Sequence, residues 1–255
     1  MLKYASVDLL SVDGGPTFRR VAHRAVFDYE PRKGFLYVRS RAISSRCNEN
    51  YDEFPADEIR KGWRSFVGKP VFVNHHNDDP RRARGVIIDA ALHDDVNPDG
   101  SPDVWVEVLM EVDAVNYPKL AKAILRGDIE RTSMGVNVEE STCSVCGNSA
   151  RTPLEFCRHI PRMKGQKIAI RGTDGSETEV LCREVCAGLD FFENSLLVED
   201  PADPTAFFLG VDDRGVEATY TGSLAKAAAK TASDPVESAQ GEILGWGFVN
   251  KAGVT

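Results

Sequence analysis

Along the first 140 residues apolar positions recur mostly every second residue, the period that sends alternate side chains to opposite faces of a strand. The clearest case is "DVWVEVLMEVD", in which Val104, Val106, Val108, Met110 and Val112 share one face. By pattern it pairs with "ARGVIIDAALHDD" across the loop "VNPDGSP", which predicts a half-buried hairpin. "GFLYVRSRAIS" alternates in the same way and follows the turn "EPRKG", so it reads as the second arm of another hairpin. Two stretches carry a helical period instead, "DEIRKGWRSF" (57–66) and "VNYPKLAKAILRG" (115–127). The second puts Leu120 and Ile124 on one face and Gly127 at its C-terminal stop.

Residues 131–140 read as a further strand and "GLDFFENSLLVED" as a later one. Between them, residues 141–187 hold five of the six cysteines, a histidine and the turn "GTDGSE". From about 213 onward the chain is rich in Ala and Ser and only weakly apolar, which predicts a flexible tail. The expected class is α+β and β-rich. Its core would be 1–140 with 188–212, its insertion 141–187 and its tail 213–255.

At 255 residues, with 42% hydrophobic and 27% charged side chains, the chain can bury a sizeable core. A formal charge of -8 argues against a protein whose main work is gripping phosphate backbones. The three arginines in "DDPRRARG" read as a solvated loop. No basic N-terminal region precedes an unbroken apolar run, so no signal peptide is expected, and no apolar run reaches the ~20 residues of a membrane span. An intracellular location keeps thiols reduced, which makes clustered cysteines metal candidates first.

Cys143, Cys146, Cys157 and His159 give the spacing C-x2-C-x10-C-x-H. A CxxC turn aims two thiolates at one ion, and a second ligand pair closes the tetrahedron zinc prefers. Four protein ligands leave no open position, so the expected ion is a structural Zn2+ that staples a segment too small to fold alone. Cys182 and Cys186 in "CREVC" could replace one ligand or sit as buried small apolar residues. A pair of disulfides is the competing reading. A nucleic-acid knuckle would want more Lys, Arg and aromatic residues than this segment has.

In "TSMGVNVEE" Met134, Val136 and Val138 share one strand face, while Ser133, Gly135 and Asn137 share the other. Gly135 has no side chain and would leave open space beside the Ser133 hydroxyl. A serine nucleophile needs a base, usually histidine. His159 is spent on the metal, and His23 and His93 lie in polar contexts; His75 and His76 end the apolar strand "GKPVFVNHH". The HH pair is not the H-E-x-x-H arrangement of a metalloprotease.

These residues carry a resemblance. "GKPVFVNHHNDDPRRARGVIIDA", "LRGDIERTSMGVNV" and "DFFENSLLVEDPADPTAF" resemble, in order and spacing, three signature blocks of the prohead (capsid maturation) proteases of tailed bacteriophages. Those enzymes are distant relatives of the herpesvirus assemblins. The similarity spans about residues 20–212, and the CxxC segment resembles an insertion of some members. The resemblance implies an assemblin-like closed or partly open β-barrel with flanking helices. It implies a serine endopeptidase in which Ser133 is the nucleophile and His75, rather than His76, the base. Glu193 falls where the assemblins place their third residue, with Asp190 or a residue outside the block as alternatives. No arginine follows that strand, so backbone N–H groups are the expected oxyanion donors. The implied substrates are phage scaffold protein, the major capsid protein and the chain's own tail, inside a procapsid in the host cell cytoplasm. No membrane and no specific nucleic acid is implied as partner. The alternative is a non-enzymatic, zinc-stapled virion or scaffold protein of the same fold.

Overall fold

The computed structural model describes residues 3–5, 24–97, 100–172 and 175–216; most of the expected tail, from 217 on, lies outside the described residues. A nine-stranded sheet dominates. Its path runs β13 (Phe208–Asp212), β3 (Phe35–Ser44), β7 (Pro102–Asp113), β6 (Gly85–Val96), β5 (Pro70–Val73), β12 (Glu184–Leu197), β8 (Arg131–Cys143) and β9 (Ser149–Ala150). A two-residue strand, β4 (Asp52–Glu53), also pairs with β12. Two small ladders stand apart: β1 (Lys3–Ala5) with β2 (Arg24–Val26), and β10 (Lys167–Arg171) with β11 (Glu177–Leu181). The helices are few and short: α1 (Ala56–Gly62), α2 (Pro118–Arg126) and α3 (His159–Met163). The class is therefore β-rich α+β.

The described residues form no closed barrel, because no ladder joins the ends of the sheet path. The start of β8 and the chain ahead of β13 meet only at one antiparallel bridge, Arg131 to Phe207. Two hydrogen bonds flank it: Thr132 N–H donates to Ala206 O at 3.2 Å and Phe208 N–H to Glu130 O at 2.8 Å.

The β6–β7 hairpin forms as its alternation predicts, but β7 is buried on both faces. Asp103, Glu107 and Glu111, which look like a solvent face in the sequence, are buried beside arginines. Arg41 pairs with Asp103 at 2.7 Å, Arg39 Nε donates to Glu107 at 2.6 Å, and Arg32 Nε donates to Glu111 at 2.9 Å. His93 Nε2 meets the other Glu107 oxygen at 3.0 Å while its ring stacks 3.7 Å from Trp105. β3 is not the second arm of a local hairpin: it pairs with β7 and β13, partners that only the finished sheet supplies.

The helix expected at 57–66 divides at Gly62 into α1 and a 3-10 turn over Trp63–Phe66. Here it packs against β12 so closely that a Cβ on Gly62 would lie 2.5 Å from the Leu189 carbonyl oxygen. Phe66 stacks on Phe191 at 4.1 Å, Phe191 N–H donates to Ser65 Oγ at 2.8 Å, and Gly188 N–H donates to Glu58 Oε2 at 2.8 Å. These contacts fix the middle of β12, where the sheet irregularity described below occurs. α2 begins at Pro118 and stops at Gly127, whose φ of 77° is the left-handed cap. Among the described residues no helix is long and apolar enough to cross a membrane.

Glu107→Ala leaves a buried imidazole and a half-buried guanidinium without their acid, so it should cost about 3–5 kcal/mol in denaturant unfolding. A cost below ~1 kcal/mol would show that the acid–arginine pairs are surface decoration.

Candidate active site and metal centre

β8 and β12 form one long antiparallel ladder, from Arg131 opposite Leu197 to Cys143 opposite Glu184. The excursion 144–183 stands where a tight hairpin turn would otherwise be. The ladder carries a bulge: Val136 faces Phe191, but Gly135 faces Glu193, so Phe192 is the extra residue. A bulge changes which side chains share a face. Without it Gly135 would oppose Phe192, and Glu193 would point away from Ser133. With it, Ser133 and Gly135 share a face with their partners Ser195 and Glu193.

β5 runs parallel to β12 on its other edge, with Phe72 opposite Ser195. Just past β5 the chain turns through Asn74 and His75, with φ of 49° and 56°. Left-handed backbone costs a residue other than glycine about 1–2 kcal/mol. The turn is held by contacts with β12 and the residue after it. Asn74 N–H donates to Leu196 O at 3.0 Å, His75 N–H to Ser195 Oγ at 3.1 Å, and Val198 N–H to Asn74 Oδ1 at 3.2 Å.

This turn lays the His75 ring on Glu193, with Nδ1 2.8 Å from Oε1. The carboxylate is fully buried and also accepts from Ser195 Oγ at 2.7 Å, whereas the His75 side chain remains 43% exposed. The contact places Nδ1–H on the carboxylate side and leaves Nε2 as the free ring nitrogen, the arrangement of a general base. His76 is exposed and its ring has no hydrogen-bond partner among the described residues. Asp190 is exposed, opposite Asn137.

Ser133 is diagonal to Glu193 across the ladder, which puts their backbones about 7–8 Å apart. Its hydroxyl makes no hydrogen bond among the described residues. A small cleft beside it is lined by apolar residues such as Ile43, Phe54 and Ala206 and by polar ones such as Arg46 and Asp203; His75 and Glu193 are not in its lining. The structure thus joins His75 and Glu193 directly and brings Ser133 onto their face without bonding it to the imidazole. Gly135 does not leave the open space expected of it. A Cβ there would meet Glu193 Oε1 at 2.6 Å and the Phe192 ring at 2.7 Å, so the glycine is what lets the carboxylate lie flat on β8. Ser195 was missed in the sequence; its only signal is its place two residues beyond Glu193.

At the far end of the ladder, ten residues or about 33 Å along β8 from Ser133, the ligand atoms of Cys143, Cys146, Cys157 and His159 lie within 4.8 Å of one another. His159 Nδ1 is 3.9 Å from Cys143 Sγ and 3.7 Å from Cys157 Sγ. Ligands around one tetrahedral ion with metal–sulfur and metal–nitrogen bonds of ~2.3 and ~2.0 Å lie about 3.6 Å apart, so the four atoms could hold a metal ion. Burial works to raise the Cys157 thiol, but the N–H groups of Ile160 and His159 and the neighbouring thiols bring it down to about 7, toward the thiolate a metal needs.

All six cysteines are free thiols, so the paired-disulfide reading is not the arrangement found. Cys182 packs under the cluster with its Sγ 3.7 Å from the His159 carbonyl, outside the four-atom group. Cys186 faces Asp52 and Glu184 instead, and Lys164 bridges those two acids. Burial pushes the Cys186 thiol up to about 12.

Comparison with known proteins finds no matching family model, curated protein or solved structure.

Two outcomes are expected. Gly135→Ala should cost about 1–3 kcal/mol and displace the Glu193 carboxylate, which a crystal structure of the variant would register. Purified protein should carry one metal ion per chain by elemental analysis, and stripping it should raise amide exchange at 141–143 and 184–186 before 131–135. Unchanged exchange on metal removal would show that the cluster does not hold the ladder end.

Proposed function

We propose that this chain is a serine endopeptidase of the prohead protease type, built on an assemblin-like, partly open barrel. The observation that carries the reading is the buried Glu193 carboxylate bound to His75 Nδ1, on the strand face that also bears Ser133. An orienting acid, an imidazole with its other nitrogen free and a hydroxyl on one face are the parts of nucleophilic acyl transfer.

In this reading Ser133 Oγ attacks a substrate carbonyl carbon as His75 Nε2 takes the hydroxyl proton. The tetrahedral oxyanion is met by backbone N–H groups. His75 then protonates the leaving amine, which frees one product and leaves an ester on Ser133. Water, deprotonated by the same imidazole, hydrolyses that ester. Glu193 holds the Nδ1–H side of the ring and offsets the imidazolium. The substrates are those the resemblance implies: scaffold protein, capsid precursor and the chain's own C-terminal region, within an assembling procapsid in the host cytoplasm. Cys143, Cys146, Cys157 and His159 would hold a zinc ion, and its role would be structural, since four protein ligands leave no open position.

The unbonded Ser133 hydroxyl supports a second reading, a zinc-stapled virion or scaffold protein without activity. A fluorophosphonate probe separates the two. Covalent labelling of Ser133 in the native chain, lost in Ser133→Ala and reduced at least about a thousandfold in His75→Ala, is the expected result. No labelling, together with untrimmed scaffold and capsid precursors on co-expression of the native chain, would leave only the inert reading.

A further inference from the structure

The Ser195 hydroxyl accepts the His75 backbone N–H at 3.1 Å and donates its own proton to Glu193 Oε2 at 2.7 Å. We infer that Ser195 is a positioning residue, a single-atom latch that locks the left-handed histidine turn and the buried carboxylate to each other. The inference rests on the protease reading of this site.

Each connection of this hydroxyl is assigned. Its one hydrogen is spent on Glu193 and a lone pair faces the His75 amide. Glu193 then has Oε2 on Ser195 and Oε1 on the ring, so the carboxylate cannot rotate without breaking both bonds. Ser195 is fully buried, with Phe72 opposite it on β5 and Ser133 opposite it on β8. No solvent is at hand to replace the hydroxyl, and the amide and Oε2 would both lose their partner with it. Its consequence is positional: the backbone of His75 is strained, and the latch ties that strain to the orientation of the imidazole.

Ser141 provides an internal comparison. It too is a buried serine in this ladder, and it donates to Glu184 at 2.7 Å, but it lies at the metal end. Loss of either serine should lower stability. Only loss of Ser195 should reach His75.

The test compares full-length Ser195→Ala, Ser141→Ala and Ser195→Thr with the native chain by two readouts. The first is the ring 15N and Nδ1–H spectrum of His75 in labelled protein, which does not depend on activity. The native chain should hold one Nδ1–H tautomer with a hydrogen-bonded, downfield proton. Ser195→Ala should exchange-broaden that proton and mix the tautomers, while Ser141→Ala leaves both unchanged. The second is the rate of Ser133 labelling and substrate cleavage. Ser195→Ala should lower kcat about a hundredfold with KM unchanged, and Ser195→Thr, which keeps the hydroxyl, should recover most of it. A native ring spectrum in Ser195→Ala overturns the latch even if the protein cleaves. An altered ring spectrum in a chain whose native form never labels or cleaves supports the latch and removes the protease. If Ser195→Ala does not fold, Ser195→Cys, which leaves no cavity and weakens donation to Glu193, carries the same readouts with the same meanings.

Discussion

The register between β8 and β12 is the constraint on which the rest of the site depends. Side chains alternate with a period of two, so a slip of one residue would send Ser133 to the face opposite Glu193 and Ser195. Several fixtures hold that register. The Arg131–Phe207 bridge binds the start of β8, and the Cys/His cluster gathers Cys143 with residues beyond the strand. Between these ends, Ser65 and Glu58 grip the backbone of β12 at Phe191 and Gly188. The strand that bears Ser133 ends at Cys143, a member of that cluster. About 33 Å of β8 therefore separates the cluster from Ser133.

Two local departures from regular backbone then aim the groups. The bulge at Phe192 rotates Glu193 onto the face of Ser133, and the left-handed turn at Asn74 and His75 folds the imidazole back over it. Each is costly alone. They persist because each satisfies the other: the carboxylate needs a donor in a buried position, and the strained turn needs a fixed acceptor.

Much of the candidate site was legible in the sequence because its parts lie in short blocks. Ser133, the NHH pair and Glu193 sit in blocks that only the resemblance to the prohead proteases groups into one site, whereas the spacing of Cys143, Cys146, Cys157 and His159 by itself points to one ion. The choice of His75 over His76 was written only in the resemblance; the geometry that distinguishes them is a backbone φ sign, which no periodicity carries. The bulge was equally silent, since one extra residue in a strand leaves the hydrophobic pattern of Phe191 to Leu197 almost unchanged. Fold class and the β6–β7 hairpin followed from alternation. The burial of Asp103, Glu107 and Glu111 did not, because their arginine partners come from residues more than 50 positions away. The same limit explains β3, whose strand pattern was plain and whose neighbours were not.

β12 is the last of the long strands, and it lies between β5 and β8. His75 and Glu193 are 118 positions apart. Loops of that length close slowly, and during synthesis the N-terminal strands emerge first. A nascent chain that has reached residue 183 therefore contains the residues of its histidine turn and its serine strand, but no strand to hold the turn or to join the two, and no acid. The contact between imidazole and acid is therefore completed only when nearly all of the described fold has left the ribosome.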